Sequence, residues 1–215
     1  MFFHGGYWKS LSKDDFTYVA DALHAAGAAV ALVDHDLMPA VDMAELVRQC
    51  RAALAWLWHH ADDYGCDADR IHLTGHSAGG HLVAMLLATD WPRFDPRLPQ
   101  GPIRGGCGIS GLYDLEPIRL CYLNDELRLT PIDVTRFSPI HLPMHNRAPL
   151  LLPVGELEGP EYRRQSEDLV TAWRRQGANP ELLIMRGHDH FSIVDQLDDP
   201  ESALCRAILG QMGLD

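Results

Sequence analysis

The chain has 215 residues and a formal net charge of −12, with 47% hydrophobic and 22% charged residues. A length of this order predicts a folded unit with a substantial core, so we expect residues 1–215 to form a single domain. The negative charge argues against a nucleic-acid partner, because no basic stripe is present to neutralise phosphates. No apolar run reaches the roughly eighteen residues that a membrane span requires, so we expect no membrane partner.

Five cysteines are scattered along the chain, and none of them forms a Cys-x-x-Cys pair. An odd number with this spacing argues against a disulfide framework and favours a reducing compartment. The first residues lack the basic stretch and long apolar run that are typical of a signal peptide. We therefore expect a cytoplasmic protein.

Short apolar segments alternate with longer helical patterns along the chain. Strands are predicted at 28–33, 70–74, 103–110, 150–154 and 182–185, and helices at about 42–65 and 160–176. Such alternation predicts an α/β fold with a mainly parallel sheet and helices on both faces. Residues 112–147, which include four prolines, interrupt the alternation. We expect this segment to form a partial lid over the carboxyl edge of the sheet.

The chain opens with an apolar pair at residues 2–3, followed by His-Gly-Gly at residues 4–6. Glycine lets the backbone approach a ligand closely, and in esterases a His-Gly-Gly loop after a strand presents N–H groups to a substrate oxygen. We expect the N–H groups of Gly6, Tyr7 and Ala78 to form such an oxyanion hole. A simple tight turn is the alternative interpretation.

Residues 75–80 (GHSAGG) place Ser77 where a predicted strand turns directly into a predicted helix. This context is typical of the nucleophile elbow of α/β-hydrolases, in which the serine has a strained backbone and its neighbours must be small. The free N–H groups at the start of the helix point to the same place. Ser77 is therefore the candidate nucleophile, and we interpret His72, His76 and His81 as packing or supporting residues.

A serine hydroxyl is a weak nucleophile that needs a base and a group to orient that base. Two candidate bases, His188 and His190, follow the last predicted strand. A metal site at this pair is a weaker alternative, because no helical His-x-x-x-His or cysteine cluster supplies further ligands. Glu156 and Glu158 follow the preceding strand, and spacing does not choose between them as the acid. Asp114 is a further candidate, for which we favour a helix N-cap.

With these motifs, the chain resembles the kynurenine formamidase (arylformamidase) family of α/β-hydrolases over nearly its whole length. The resemblance rests on residues 4–8 (HGGYW), 75–82 (GHSAGGHL), 110–115 (SGLYDL), 158–162 (EGPEY), 164–166 (RQS) and 189–191 (DHF). Matched position by position, the family's catalytic triad implies Ser77, Glu158 and His190 here.

The resemblance implies a serine hydrolase without metal or cofactor that cleaves an aryl formamide. Its small-molecule substrate would be N-formyl-L-kynurenine, and the products kynurenine and formate. Because formyl is the smallest acyl group, we expect a cramped acyl pocket beside a wide aryl pocket. Candidates for contact with the substrate are Gly5, Trp8, Tyr113 and Phe191. The alternatives are a general carboxylesterase with the same triad and a non-catalytic binding protein on a hydrolase scaffold.

The family usually has further strands before the oxyanion loop, whereas this loop begins at residue 4. The resemblance therefore implies one of two alternatives: the first part of the chain is missing from this sequence, or the sheet lacks the usual N-terminal strands. A shortened sheet would expose a strand edge, so a homo-oligomer is a further expectation.

Overall fold

The computed structural model describes residues 1–214. Its strands are β1 (Phe2–Phe3), β2 (Leu32–Val33), β3 (Ile71–His76), β4 (Ile103–Ile109), β5 (Leu150–Gly155) and β6 (Glu181–Met185). They form one six-stranded sheet in the order β2-β1-β3-β4-β5-β6, and all neighbouring strands run parallel. Parallel neighbours require crossover connections, and helices supply most of these.

The helices are α1 (Asp21–Ala25), α2 (Met43–His60), α3 (Ala78–Leu87), α4 (Trp91–Phe94), α5 (Glu116–Arg119), α6 (Asn124–Leu127), α7 (Pro131–Phe137), α8 (Pro160–Arg174), α9 (Ser192–Asp195) and α10 (Ala203–Met212). A 3-10 segment, Lys13–Ala20, leads into α1. Across residues 1–214, no helix is both long enough and apolar enough to span a membrane.

Alternate side chains of the strands enter two hydrophobic clusters on opposite faces of the sheet. Leu73 and Leu152 lie in the cluster covered by α2, α3 and α8. Cys107 and Ile109 lie in the other cluster, which α1, α9 and α10 cover. Every residue of α3 is buried, because this helix lies between the sheet and the outer helices. The structure confirms the predicted α/β class with a parallel sheet covered on both faces.

Most boundaries lie within two residues of the prediction, and two elements differ by more. Only Leu32–Val33 of the predicted strand 28–33 pairs with β1. The start of that segment still closes α1, since Gly27 has a φ of 95° and the Ala28 N–H donates to the Leu23 carbonyl at 3.0 Å. The predicted helix 42–65 ends at His60 and continues as a 3-10 turn, Ala61–Tyr64.

Two clefts open at opposite ends of the sheet. One has a volume of about 620 Å³ and lies at the amino ends of the strands, where it is lined by Met1, Ile71 and His72. The other has a volume of about 680 Å³ and lies at the carboxyl ends, where Ser77 and His190 line it. The candidate nucleophile and the candidate base therefore share the second cleft.

Candidate active site

Ser77 occupies a strained turn between β3 and α3. Its backbone has a φ of 55° and a ψ of −116°, a combination that side-chain-bearing residues rarely adopt. The Ser77 N–H donates to the Ile109 carbonyl at 2.8 Å, which ties the turn to β4. A Cβ atom on Gly79 would collide with the Phe3 carbonyl, so α3 can approach β1 only with glycine at this position. The strained elbow predicted from the sequence is present.

Glu158 is held by donors from three directions. The Nδ1–H of His190 donates to its Oε2 at 2.8 Å. The Gly155 N–H donates to its Oε1 at 2.6 Å, and the Ser110 hydroxyl donates to the same oxygen. The Glu158 side chain is fully buried, while 17% of the His190 side chain is exposed toward the cleft. The structure thus brings His190, and not His188, against a buried carboxylate.

These contacts define the tautomer of His190 and the ionisation of Glu158. A carboxylate only accepts hydrogen bonds, so Nδ1 of the neutral His190 ring carries the proton and Nε2 is the basic nitrogen. Burial by itself would raise the pKa of Glu158. The hydrogen bonds from His190, Ser110 and Gly155 outweigh burial and hold the pKa below its usual value. Glu158 is therefore ionised at neutral pH and orients the imidazole.

The other candidate acids have different partners. Glu156 is exposed, and its Oε2 accepts the Gly187 N–H at 3.1 Å. Asp114 accepts the Glu116 N–H at 3.1 Å and pairs with Arg164 at 3.4 Å, but the N-cap of α5 is Leu115, so the predicted N-cap role of Asp114 is wrong. Neither carboxylate contacts the catalytic histidine candidate. In the part of the chain that the structure describes, no group of three His, Cys, Asp or Glu side chains is arranged to hold a metal ion.

The loop after β1 has the backbone that an oxyanion hole requires. Gly6 has a φ of 105° and Tyr7 a φ of 48°. The N–H groups of Lys9 and Ser10 both donate to the Gly6 carbonyl at 3.1 Å, which closes a turn after Gly6. Within residues 1–214, the N–H groups of Gly6 and Tyr7 donate to no protein acceptor. Both amides remain available to a substrate oxygen.

The first amides of α3 lie at the same place. The first hydrogen bond within this helix runs from the His81 N–H to the Ser77 carbonyl at 3.2 Å, so the preceding amides, including that of Ala78, are helix-terminal donors. Gly5 lines the cleft, and a Cβ atom there would stand 3.3 Å from the Ser77 Cβ. The loop backbone therefore runs directly against the nucleophile candidate.

Trp8 does not contact the cleft, which corrects the expectation that it binds substrate. Its side chain is fully buried, and its Nε1–H donates to His81 Nδ1 at 3.1 Å. Because Nδ1 of His81 accepts, Nε2 carries the proton and donates to the Phe137 carbonyl at 2.7 Å. An ion pair between Lys9 and Glu126 at 2.7 Å adds a second link to the segment 112–147. Trp8 thus anchors the oxyanion loop.

Tyr113 requires the same correction. It is fully buried, and its hydroxyl donates to the Gly108 carbonyl at 3.0 Å, so it supports the sheet instead of the substrate. Phe191 does line the cleft and is 75% exposed. None of the residues that line the cleft belongs to the segment 112–147, so a lid formed by this segment stays a prediction.

Two further residues contact His190: His76, which the sequence indicates as a packing or supporting residue, and Tyr162, to which it assigns no role. The Nε2–H of His76 donates to the His190 backbone carbonyl at 2.8 Å, and the two rings lie 4.6 Å apart. Burial, together with repulsion from His190, lowers the pKa of His76 to about 4, so its imidazole is neutral. The Tyr162 ring lies 4.3 Å from the His190 ring. Tyr162 belongs to the EGPEY motif, which was the available signal for its position.

Two further aromatic residues of the cleft, Phe16 and Tyr18, had no signal in the sequence. They lie in the 3-10 segment after the oxyanion loop, and only the folding of that segment over the sheet brings them to the cleft. Together with Tyr7, Tyr162 and Phe191 they give the cleft wall five Phe and Tyr side chains.

Comparisons with known proteins agree with this geometry. The BD-FAE family model matches residues 1–100. Kynurenine formamidase from Danio rerio is 34% identical over 219 residues, covering 99% of this chain and 72% of the relative. Kynurenine formamidase from Salmo salar is also 34% identical, over 220 residues and with the same coverage. A solved esterase from Pyrobaculum calidifontis has a TM-score of 0.81 at 19% identity, covering 99% of this chain and 75% of that chain, which shows a shared fold. The chain is therefore a hydrolase that belongs to the kynurenine formamidase family of α/β-hydrolases.

Proposed function

We propose that this hydrolase cleaves the aryl formamide N-formyl-L-kynurenine to kynurenine and formate, a step of tryptophan catabolism. The observation that carries the proposal is the hydrogen bond between the ionised, buried Glu158 and Nδ1 of His190. His190 lines the same cleft as Ser77. Membership of the kynurenine formamidase family supports the choice of substrate.

In the first half of the reaction, the Ser77 hydroxyl attacks the formyl carbon while His190 Nε2 takes its proton. Glu158 holds the imidazole in the required tautomer and stabilises the imidazolium that forms. The N–H groups of Gly6, Tyr7 and Ala78 stabilise the negative oxygen of the tetrahedral intermediate. Losing one such donor typically lowers the rate by about 10²–10³-fold.

The intermediate then collapses, and the bond between the formyl carbon and the aryl nitrogen breaks. His190 returns its proton to the departing nitrogen, so that the amine leaves neutral and a formyl ester remains on Ser77. Water attacks this ester with His190 again as the base, and formate is released. Every proton taken from a nucleophile is returned to a leaving group, so no further reactant is needed.

The cleft supports an aryl substrate. Its volume of about 680 Å³ is ample for a single aromatic ring with its substituents, and its aromatic lining offers stacking surfaces. Gly5 also lines this cleft, and a Cβ atom there would stand 3.3 Å from the Ser77 Cβ. An acyl pocket of formyl size beside Ser77 stays a prediction.

Hydrolysis of N-formyl-L-kynurenine by the purified protein tests the proposal, with Ser77→Ala and p-nitrophenyl acetate as comparisons. We expect rapid formamide turnover that Ser77→Ala abolishes. Ester turnover without formamide turnover would support a general carboxylesterase instead. If a fluorophosphonate probe fails to label Ser77 in well-folded protein, a non-catalytic binding protein becomes the better interpretation.

We also propose a reducing compartment such as the cytoplasm. All five cysteines are free thiols, and Cys50, Cys107 and Cys205 are buried in the core. Self-association stays a prediction, which size-exclusion chromatography with light scattering measures directly.

A further inference from the structure

Two tyrosine hydroxyls meet inside the cleft, although their residues are far apart in the chain. The Tyr7 and Tyr162 oxygens lie 3.1 Å apart. Tyr7 belongs to the oxyanion loop, and Tyr162 to the first turn of α8. Both side chains line the cleft that holds Ser77 and His190. We call these two residues the tyrosine pair.

Counting protons shows what the tyrosine pair offers. Two phenols carry two O–H protons, and one of these lies between the two oxygens. Within residues 1–214, neither oxygen has another protein partner, so the second proton has no protein acceptor. Burial and the contact with Tyr7 raise the pKa of Tyr162, so it keeps its proton at neutral pH. Whichever hydroxyl donates to the other, the pair presents one donor to the cleft.

We propose that the tyrosine pair donates a hydrogen bond to a carbonyl oxygen on the aryl side of the substrate. The substrate class is aryl formamides that have an acyl group on the ring carbon next to the formamide nitrogen. This inference rests on the proposed function, since it concerns the substrate of the same site.

The position of Tyr162 supports this assignment. Its ring lies 4.3 Å from the ring of His190, the residue that protonates the departing nitrogen in the proposed mechanism. An ortho carbonyl lies within a few bonds of that nitrogen, so it reaches the neighbourhood of the His190 ring when the nitrogen does. A ketone oxygen has two lone pairs, so it can accept from the pair even when the formamide N–H occupies one.

The hydrogen bond would also assist the reaction. An ortho ketone is conjugated with the ring and withdraws electron density from the aryl nitrogen. A donor to the ketone oxygen increases that withdrawal, which weakens the bond that breaks. A formanilide without the ketone receives neither the binding contribution nor this assistance.

A purely structural role makes a different prediction. If the tyrosine pair only joined the oxyanion loop to α8, its removal would slow all substrates equally. The quantity to measure is therefore the ratio of kcat/KM for 2-formamidoacetophenone, which has the ortho ketone, to kcat/KM for formanilide, which lacks it.

The double variant Tyr7→Phe/Tyr162→Phe removes both hydroxyls and keeps both rings. We expect this ratio to fall about tenfold, the size of a neutral hydrogen bond, because a general effect of the variant on the oxyanion loop slows both substrates alike and cancels in the ratio. An unchanged ratio, whether or not both substrates are slowed equally, would overturn the proposal. Thermal unfolding of the double variant checks that its fold is intact.

Tyr18→Phe is the matched control. Tyr18 also lines the cleft, but its hydroxyl already donates to Asp195 at 3.1 Å. Because its proton is occupied, removing it should leave the substrate ratio unchanged. A fall in the ratio equal to that of the double variant would contradict the assignment to the tyrosine pair.

An ester series separates failure of this inference from failure of the proposed function. If the wild-type protein cleaves no formamide, the proposed function is wrong. The same variants are then compared on 2-acetylphenyl acetate and phenyl acetate, which differ by the same ortho ketone. A tenfold fall in that ratio would support the tyrosine pair as the donor, and an equal loss would overturn it.

Discussion

Ser77 adopts a backbone conformation that costs of the order of 1–3 kcal/mol for a residue with a side chain. Its φ of 55° persists because both flanking elements are buried and the Ser77 N–H is bonded to the Ile109 carbonyl. At the same scale, Glu158 and Glu156 lie only two residues apart in the chain but have different surroundings. The former points into the site and accepts three hydrogen bonds, while the latter lies on the surface.

The first prediction concerns the charge of Glu158. In Glu158→Gln one of the two acceptor oxygens becomes an amide donor, which favours the wrong tautomer of His190. We expect kcat/KM to fall about 10³–10⁴-fold with little change in KM. Glu156→Gln is the matched control, two residues away and exposed, and should retain activity within about twofold. Similar losses in both variants would show that Glu158 does not orient the base.

At the scale of elements, the site depends on how closely α3 approaches β1. A Cβ atom on Gly79 would meet the Phe3 carbonyl, while a Cβ atom on Gly159 would meet no atom within 4 Å. Adding the same methyl group is therefore expected to destabilise the fold at Gly79 and to have little effect on stability at Gly159. The approach also places the first amides of α3 beside the oxyanion loop, which continues directly from β1.

The second prediction compares these two glycines. Gly79→Ala should destabilise the protein by at least about 1–3 kcal/mol, because backbone must move to relieve the collision. Gly159→Ala should change the free energy of unfolding by less than about 1 kcal/mol, since its φ of −60° suits any residue. Urea unfolding measures both values. Equal stabilities would show that α3 and β1 are less tightly packed than this geometry requires.

A second feature that joins separate secondary-structure elements is the buried chain of hydrogen bonds from Trp8 through His81 to the Phe137 carbonyl. It connects the oxyanion loop with α3 and α7. Burial lowers the pKa of His81 to about 4, so the imidazole stays neutral and can accept from Trp8 while it donates to Phe137. The loop that provides two of the expected oxyanion donors is therefore attached to the core through its Trp8 side chain.

The third prediction removes the donor of this hydrogen-bond chain together with part of the buried Trp8 ring. Trp8→Phe should cost about 1–3 kcal/mol of stability, since His81 loses a buried partner, and should lower kcat more than it raises KM. The reason is that a looser loop weakens the oxyanion contacts, which strengthen in the transition state. Trp56→Phe, at a half-exposed position on α2, is the control and should leave kcat unchanged. If Trp8→Phe raises only KM, the loop is not held in this way.

At the scale of the whole molecule, buried neutral histidines connect stability to pH. The pKa values of His76 and His81 are lowered to about 4, mainly by burial, and burial also lowers those of His35 and His72. In the unfolded chain a histidine binds its proton near pH 6.5. Between about pH 4 and 6.5 the unfolded state therefore holds more protons than the folded state, so stability rises with pH across this window.

The fourth prediction follows from this increase of stability with pH. As the pH falls from about 6.5 toward 4, His76 and His81 should each reduce the free energy of unfolding by up to about 1.4 kcal/mol per pH unit. Urea unfolding at pH 7, 6 and 5 measures the slope. His81→Asn should reduce the slope, whereas His145→Asn, at an exposed position, should not. An unchanged slope in His81→Asn would show that His81 is not buried in its neutral form.

Local sequence was sufficient for the main strands, for helices α2, α3 and α8, and for Ser77. Strand, turn and helix follow one another within residues 70–87, and the glycines on both sides of Ser77 are required by contacts a few residues away in the same turn or with the neighbouring strand. The order of the candidate acid and base after successive strands was equally readable, because parallel strands end at one edge of a sheet. These features depend on chemistry that the chain carries within short segments.

The choice among neighbouring candidates was made only by the tertiary structure. Spacing could not distinguish Glu158 from Glu156. Sequence reasoning also named Trp8 as a candidate for substrate contact and assigned no role to Tyr162. The direction of each of these side chains depends on partners far away in the chain: Ser110 and His190 for Glu158, His81 for Trp8, and Tyr7 for Tyr162. By itself, the sequence determined the parallel α/β sheet, the position of Ser77 and the edge of the sheet where the chemistry lies. Only the fold decided which side chains point toward that edge, because the direction of a side chain depends on packing against distant residues and not on local propensity.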